Sequence, residues 1–270
     1  MKLTWKQANF EKDIDFILEL HKDGVPAFWA DSLYFWYPDL NKKYCESLPE
    51  AERLKYLRTE MKKKFDVLQP EIKKAINDCA IAWKTLASKL NEIYSAAFFN
   101  NDVSKILNNV VGEFALNPVC PRYIKDTSFA VFYKQKPEQA IPTAFHEMTH
   151  FVWFHFWHEY FNDDITEYES PHLKWLLSEI VVETIMRNSK INDVCQQSRY
   201  AYSYFYDMGI QGQLLFDTMK MFYTHSKTLR EFMEQSYKYV QSHEKELRTK
   251  IKEAENRPLQ TKQKTQNNRG

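Results

Sequence analysis

Apolar positions recur at helical spacing over most of the chain. Ile72, Ile76, Cys79, Trp83, Leu86, Leu90 and Ile93 alternate four and three residues apart, which places them on one stripe of a helix about seven turns long. Pro70 stands at its start, where a missing N–H costs little. Such a stripe is either core or the seam of a partner helix, and its end near Phe98 favours core. Ser47-Leu-Pro-Glu carries the start signal of an earlier helix that runs to about residue 64: a capping hydroxyl, a proline near the first turn and an acid beside it. The first 45 residues read as one short helix over 11–21, ended by Gly24, and an aromatic-rich loop with Trp29, Tyr34, Phe35, Trp36 and Tyr37.

The period changes between residues 101 and 135. Residues 114–116 and 128–133 read as short strands separated by the Pro118/Pro121 loop. Helix returns near Pro137 and runs through Phe161, and Ser170-Pro171 signals a further helix to about Arg187. Tyrosines at 200, 202, 204 and 206 alternate like a strand within an ambiguous stretch. Two more helices are expected over 213–223 and 228–255. The tail 256–270 is basic and almost without apolar residues, the composition of a disordered end. The expected organisation is therefore a helical region over 1–100, a core over 101–255 and the tail. The fold class is α+β, mainly α.

Composition narrows the function classes. Five glycines and ten prolines in 270 residues are too few turn-formers for a β-sandwich or barrel. With 19 Phe, 16 Tyr and 7 Trp the chain can fill a sizeable core. A net charge of +1 gives no field that would draw nucleic acid or an anionic membrane. The first residues read as no secretory signal, and no apolar run reaches the ~18 residues of a membrane helix. Cys45, Cys79, Cys120 and Cys195 form no CxxC pair, so reduced core thiols and a cytoplasmic location are expected.

The candidate chemistry lies in Ala144-Phe-His-Glu-Met-Thr-His-Phe, an HExxH on a predicted helix. Histidines four residues apart share one helix face, so His146 and His150 can reach one metal ion. Glu147, beside the first ligand, can contact a metal-bound water as general base. A strand precedes this helix by a short connection. Downstream, Glu179 and Glu183 are one turn apart on an otherwise apolar helix. Carboxylates there are costly unless they meet a cation or a strong donor, or else they mark a solvated face.

This arrangement resembles the gluzincins, zinc metallopeptidases of the thermolysin-like superfamily. The resemblance covers residues 129–186. It implies a zincin-like core, with a small sheet before the HExxH helix and a second helix that carries a glutamate. It also implies zinc held by His146, His150 and Glu179. The ExxxD-type motif would be Glu179-Ile-Val-Val-Glu183, which begins 29 residues beyond His150. Its second acid, Glu183, would hydrogen-bond a ligand histidine. Glu183 stands where Asp is usual, and Ser178 where Asn is common.

Other third ligands rank lower. The metzincin extension is excluded, because Trp153 and Phe156 occupy its Gly and His positions. His155 and His158 lie roughly 140° and 80° from the second histidine at ~100° per residue. Asp163, Asp164, Glu167, Glu169 and His172 fall between or at the ends of the helices. A donor for the developing oxyanion could come from Tyr168, Tyr200, Tyr202, Tyr204, Tyr206 or His225. The expectation is a zinc-dependent peptidase acting on peptide or protein substrates. The alternative is a zincin-like metal-binding module that serves regulation or protein interaction without useful proteolysis.

Overall fold

A five-residue strand at the start of the chain sets the architecture. In a computed structural model, which describes residues 3–25 and 27–255, β1 (Leu3–Gln7) joins β2 (Val110–Ala115), β3 (Arg122–Tyr123) and β4 (Ser128–Phe132) in one sheet. The order is β1-β2-β4-β3. β1 and β4 both run parallel to β2, and β3 pairs antiparallel with β4. The expected strands at 114–116 and 128–133 overlap β2 and β4, which end one residue earlier, and β2 starts already at Val110. β1 was not expected, because Leu3 and Trp5 alternate with polar neighbours over too short a span to stand out from a helical background.

A parallel pair needs a long crossover, and here it is helical. It consists of α1 (Phe10–Glu19), α2 (Ala27–Trp36), α3 (Lys42–Ser47), α4 (Glu50–Val67), α5 (Gln69–Lys84), α6 (Leu90–Ala97) and α7 (Ser104–Leu107). α2 replaces the expected aromatic loop, since no Gly or Pro interrupts residues 27–36. The single long helix expected after Pro70 is split. The Trp83 carbonyl accepts from the amides of both Leu86 and Ala87, which turns the chain between α5 and α6. The apolar stripe survives the break as core: Ile72, Cys79, Trp83, Leu90 and Ile93 are all buried.

Trp5 joins sheet to helix. Its indole meets Trp83 of α5 edge-on at 6.1 Å and Phe129 of β4 at 5.9 Å. It lies over Gly112, its register partner on β2. A Cβ at Gly112 would sit 2.5 Å from the Trp5 ring, so the close approach requires glycine.

The described chain divides into two compact units. The first contains residues up to His155 together with Asn188–Gln197, and the second Phe156–Arg187 with Ser198 onward. This differs from the division expected after residue 100, because β1 ties the amino-terminal residues into the sheet. The first unit holds the sheet, α1–α7 and most of α8 (Pro137–Phe161), together with α10 (Ser189–Asn192), which packs on α6. In the second unit α9 (Leu173–Met186) packs against α11 (Leu215–His225) and α12 (Leu229–Ser242). A short hairpin of β5 (Gly209–Ile210) and β6 (Gln213–Leu214) and a last helix, α13 (Glu244–Glu255), complete it. The alternating tyrosines form a loop and a 3-10 turn (Ser203–Phe205) rather than a strand. The helix expected over 228–255 breaks at His243. α9 begins after His172, with Pro171 one residue ahead of the cap, so Ser170 does not cap it. Among the described residues no helix is long and apolar enough to cross a membrane. The tail expected to be disordered, 256–270, lies outside the described residues.

The start of α1 is pinned to the end of β2. Asn9 caps the helix by accepting from the Glu11 and Lys12 amides. Asp13 then accepts from the Leu116 amide at 2.6 Å and the Asn117 amide at 3.3 Å. Burial pushes the Asp13 carboxyl up to about 6, against the pull of these two amides. Between pH ~4 and ~6 the folded protein therefore binds a proton that the unfolded chain has released. Stability from this group is complete below pH ~4 and is lost as pH rises through ~6, a change of about 3 kcal/mol. Urea midpoints measured across that window should fall in the wild type, and the Asp13→Asn protein should lack this part of the slope.

Candidate metal centre

α8 is buried on nearly every side between Ala144 and Trp157, as expected of a helix that is apolar all round. Its depth is fixed from α6. Tyr94 donates its hydroxyl to the Phe145 carbonyl at 2.7 Å and stacks on the Phe145 ring at 5.7 Å. The Thr149 hydroxyl donates to the same carbonyl at 2.8 Å. The backbone just before the first histidine is thus held from two directions.

His146 and His150 follow on one face. Their Nε2 atoms are 3.0 Å apart, and the rings meet edge to face at 4.7 Å. One turn further, Phe154 stacks on His150 at 6.5 Å. His150 is sealed from water, whereas the His146 side chain keeps 23% of its exposure. Burial, then the Arg122 guanidinium and His146, hold the His150 imidazole well below its usual range. It is neutral at pH 7, the state in which imidazole binds a metal.

The donor set suits a metal ion. Two nitrogens each ~2.05 Å from a tetrahedral zinc sit about 3.3 Å apart, so the observed pair needs to open by only a few tenths of an ångström. His146, Glu147 and His150 offer ligand atoms within 4.8 Å of one another. Glu147 is buried, with Oε1 4.0 Å from His146 Nε2 and Oε2 3.8 Å from Arg122 Nη1. Arg122 escaped the sequence reading. It is a lone arginine after Pro121 in a loop-like stretch, and no motif marks it.

The two glutamates expected to complete the site lie on α9, in the second unit. Both are buried and one turn apart. Glu183 has a full set of donors there. Its Oε1 accepts from Arg187 Nε at 2.7 Å, and its Oε2 accepts from the Tyr200 amide at 2.9 Å and from the Tyr206 hydroxyl. These partners account for its burial without a ligand histidine. With these contacts Glu183 anchors the 198–206 loop. Burial, then the charge of Glu255 and after it that of Glu179, push the Tyr204 phenol up.

Several competing candidates are committed elsewhere. Asp163 accepts from Trp157 Nε1 and the Tyr168 hydroxyl, each at 2.8 Å, and pairs with Lys174. His155 and His158 are exposed. His225 reaches back to the Met221 carbonyl at the exposed end of α11. No protein-family model matches the chain, nor does any curated protein or solved structure.

The anchoring role of Glu183 is open to direct test. Glu183→Gln keeps the shape but gives up the charge that strengthens three hydrogen bonds. It should cost about 1–2 kcal/mol and speed hydrogen exchange at the Tyr200 amide. Zinc titration of this variant separates two roles: an affinity equal to wild type leaves Glu183 as loop anchor alone, and one weakened about tenfold makes it also the partner of a ligand histidine.

Proposed function

We propose that this protein is a zinc-dependent peptidase in which His146, His150 and Glu179 hold the metal and Glu147 is the general base. The observation that carries this reading is the pair of imidazoles meeting at 3.0 Å on one face of a buried helix, with the Glu147 carboxylate alongside. Support for Glu179 comes from its burial on an apolar helix and from its spacing after His150. Zinc, when bound, would lower the pKa of a water toward ~7 and polarise the scissile carbonyl. His150 is held neutral and ready to bind. Glu147 takes a proton from the attacking water and returns it to the leaving amine. The substrates are peptides or proteins, and buried thiols at Cys45, Cys79 and Cys195 fit a reducing, cytoplasmic setting.

The deep burial of His150 and Glu147 favours a second reading, a metal-binding module of regulatory or interaction function in which no substrate reaches the ion. Metal analysis and cleavage of a peptide library separate the two. The wild type should carry zinc and cleave. Glu147→Gln should retain zinc and lose hydrolysis by about two orders of magnitude or more, whereas Glu179→Ala should lose both. Zinc without cleavage in the wild type gives the second reading, and a Glu147→Gln protein as active as wild type ends the peptidase mechanism.

A further inference from the structure

We infer that Arg122 is a positioning residue that holds Glu147 off the metal, so that its carboxylate serves as base instead of becoming a ligand. The inference rests on the metal site proposed above. Distance alone does not keep Glu147 in that role. Its carboxylate shares a 4.8 Å cluster with both imidazoles, and a dication attracts any nearby carboxylate.

The geometry supplies an opposing pull. The two carboxylate oxygens face different groups: Oε1 looks toward His146 at 4.0 Å, and Oε2 toward the Arg122 guanidinium at 3.8 Å. At 3.8 Å the contact with Arg122 is an ion pair and not a hydrogen bond. It restrains the carboxylate without using up its capacity to accept a proton from water. Both side chains are at least nine-tenths buried, where solvent screens the attraction weakly.

Arg122 cannot readily follow Glu147 toward the ion. β3 holds its backbone against β4, with Arg122 opposite Phe129 and the neighbouring Pro121 carbonyl accepting from the Ala130 amide at 2.8 Å. Its guanidinium stands over the Phe154 ring at 5.9 Å, the same ring that stacks on His150. One aromatic side chain therefore sets the position of a ligand histidine and of the cation that restrains the base. An arginine suits this task better than a lysine, because a planar guanidinium can stack and pair at once.

Cobalt(II) replaces zinc as a spectroscopic probe, since its visible bands weaken as coordination rises above four. Wild type, Arg122→Lys, Arg122→Gln and the double variant Arg122→Gln/Glu147→Gln are loaded with cobalt, and zinc affinity is titrated in parallel. Arg122→Gln should show weakened cobalt bands and bind zinc about tenfold more tightly, the scale on which groups around metal ligands act. The double variant should return to the wild-type spectrum, and Arg122→Lys, which keeps the charge, should stay close to it. An Arg122→Gln protein with wild-type bands and affinity overturns the inference while leaving the metal site intact. A wild-type protein that takes up neither metal overturns the site, and the role of Arg122 with it. Should Arg122→Gln fail to fold, a crystal structure of the zinc-loaded wild type decides. Glu147 at ~2 Å from zinc refutes the restraint, and Glu147 beside Arg122 supports it.

Discussion

An imidazole cut off from water cannot keep a proton cheaply, and a chain that buries one must give its ring nitrogens a partner. His150 imposes that requirement on its surroundings. It sits on a helix with almost no solvent face, and its Nε2 meets the Nε2 of His146. Two such nitrogens can share one proton or one metal ion, and both demand that the rings stay in place. The scaffold meets that demand upstream through Tyr94 and Thr149 on the Phe145 carbonyl, and downstream through Phe154.

Several interior charges are arranged in couples. Glu147 faces Arg122, Glu183 is clasped by Arg187 and two tyrosine-loop donors, and Asp163 meets Lys174. On β2, Glu113 is bracketed by Lys6 and Lys12. Each couple offsets a desolvation cost that a lone carboxylate would carry. Glu179 and Glu183 share a helix and a face, and the carboxylate of Glu183 is part of the anchorage of the loop that begins at Ser198.

Elements with a long, unbroken pattern were legible before the fold was seen. The start of α8 at Pro137, the position of β4 and the buried stripe from Ile72 to Ile93 follow from proline placement and from the spacing of apolar residues. The facing of His146 and His150 follows from helical spacing alone. What escaped reading depends on tertiary partners. β1 is a strand because β2 lies beside it, and its five residues carry too little pattern of their own. The turn at 85–89, where the Leu86 and Ala87 amides both bond the Trp83 carbonyl, carries no Gly or Pro to announce it. Tyr200 to Tyr206 alternate like a strand but wrap around a glutamate. Arg122 reaches the site from a two-residue strand, far in sequence from the motif it adjoins.

The parallel union of β1 with β2 also has a consequence in time. Leu3 pairs with Val110, so more than a hundred residues must be made before the strand finds its place. At ~5–20 residues per second, a ribosome would leave β1 without its neighbour for at least about 5–20 seconds. Pairings this distant in sequence also raise contact order and slow folding. During that interval the helices of the crossover must condense around a missing sheet, and once β2 emerges its open edge can pair with any extended strand until β1 closes it. Trp5, packed against Gly112 in that closure, makes this late step a hydrophobic one.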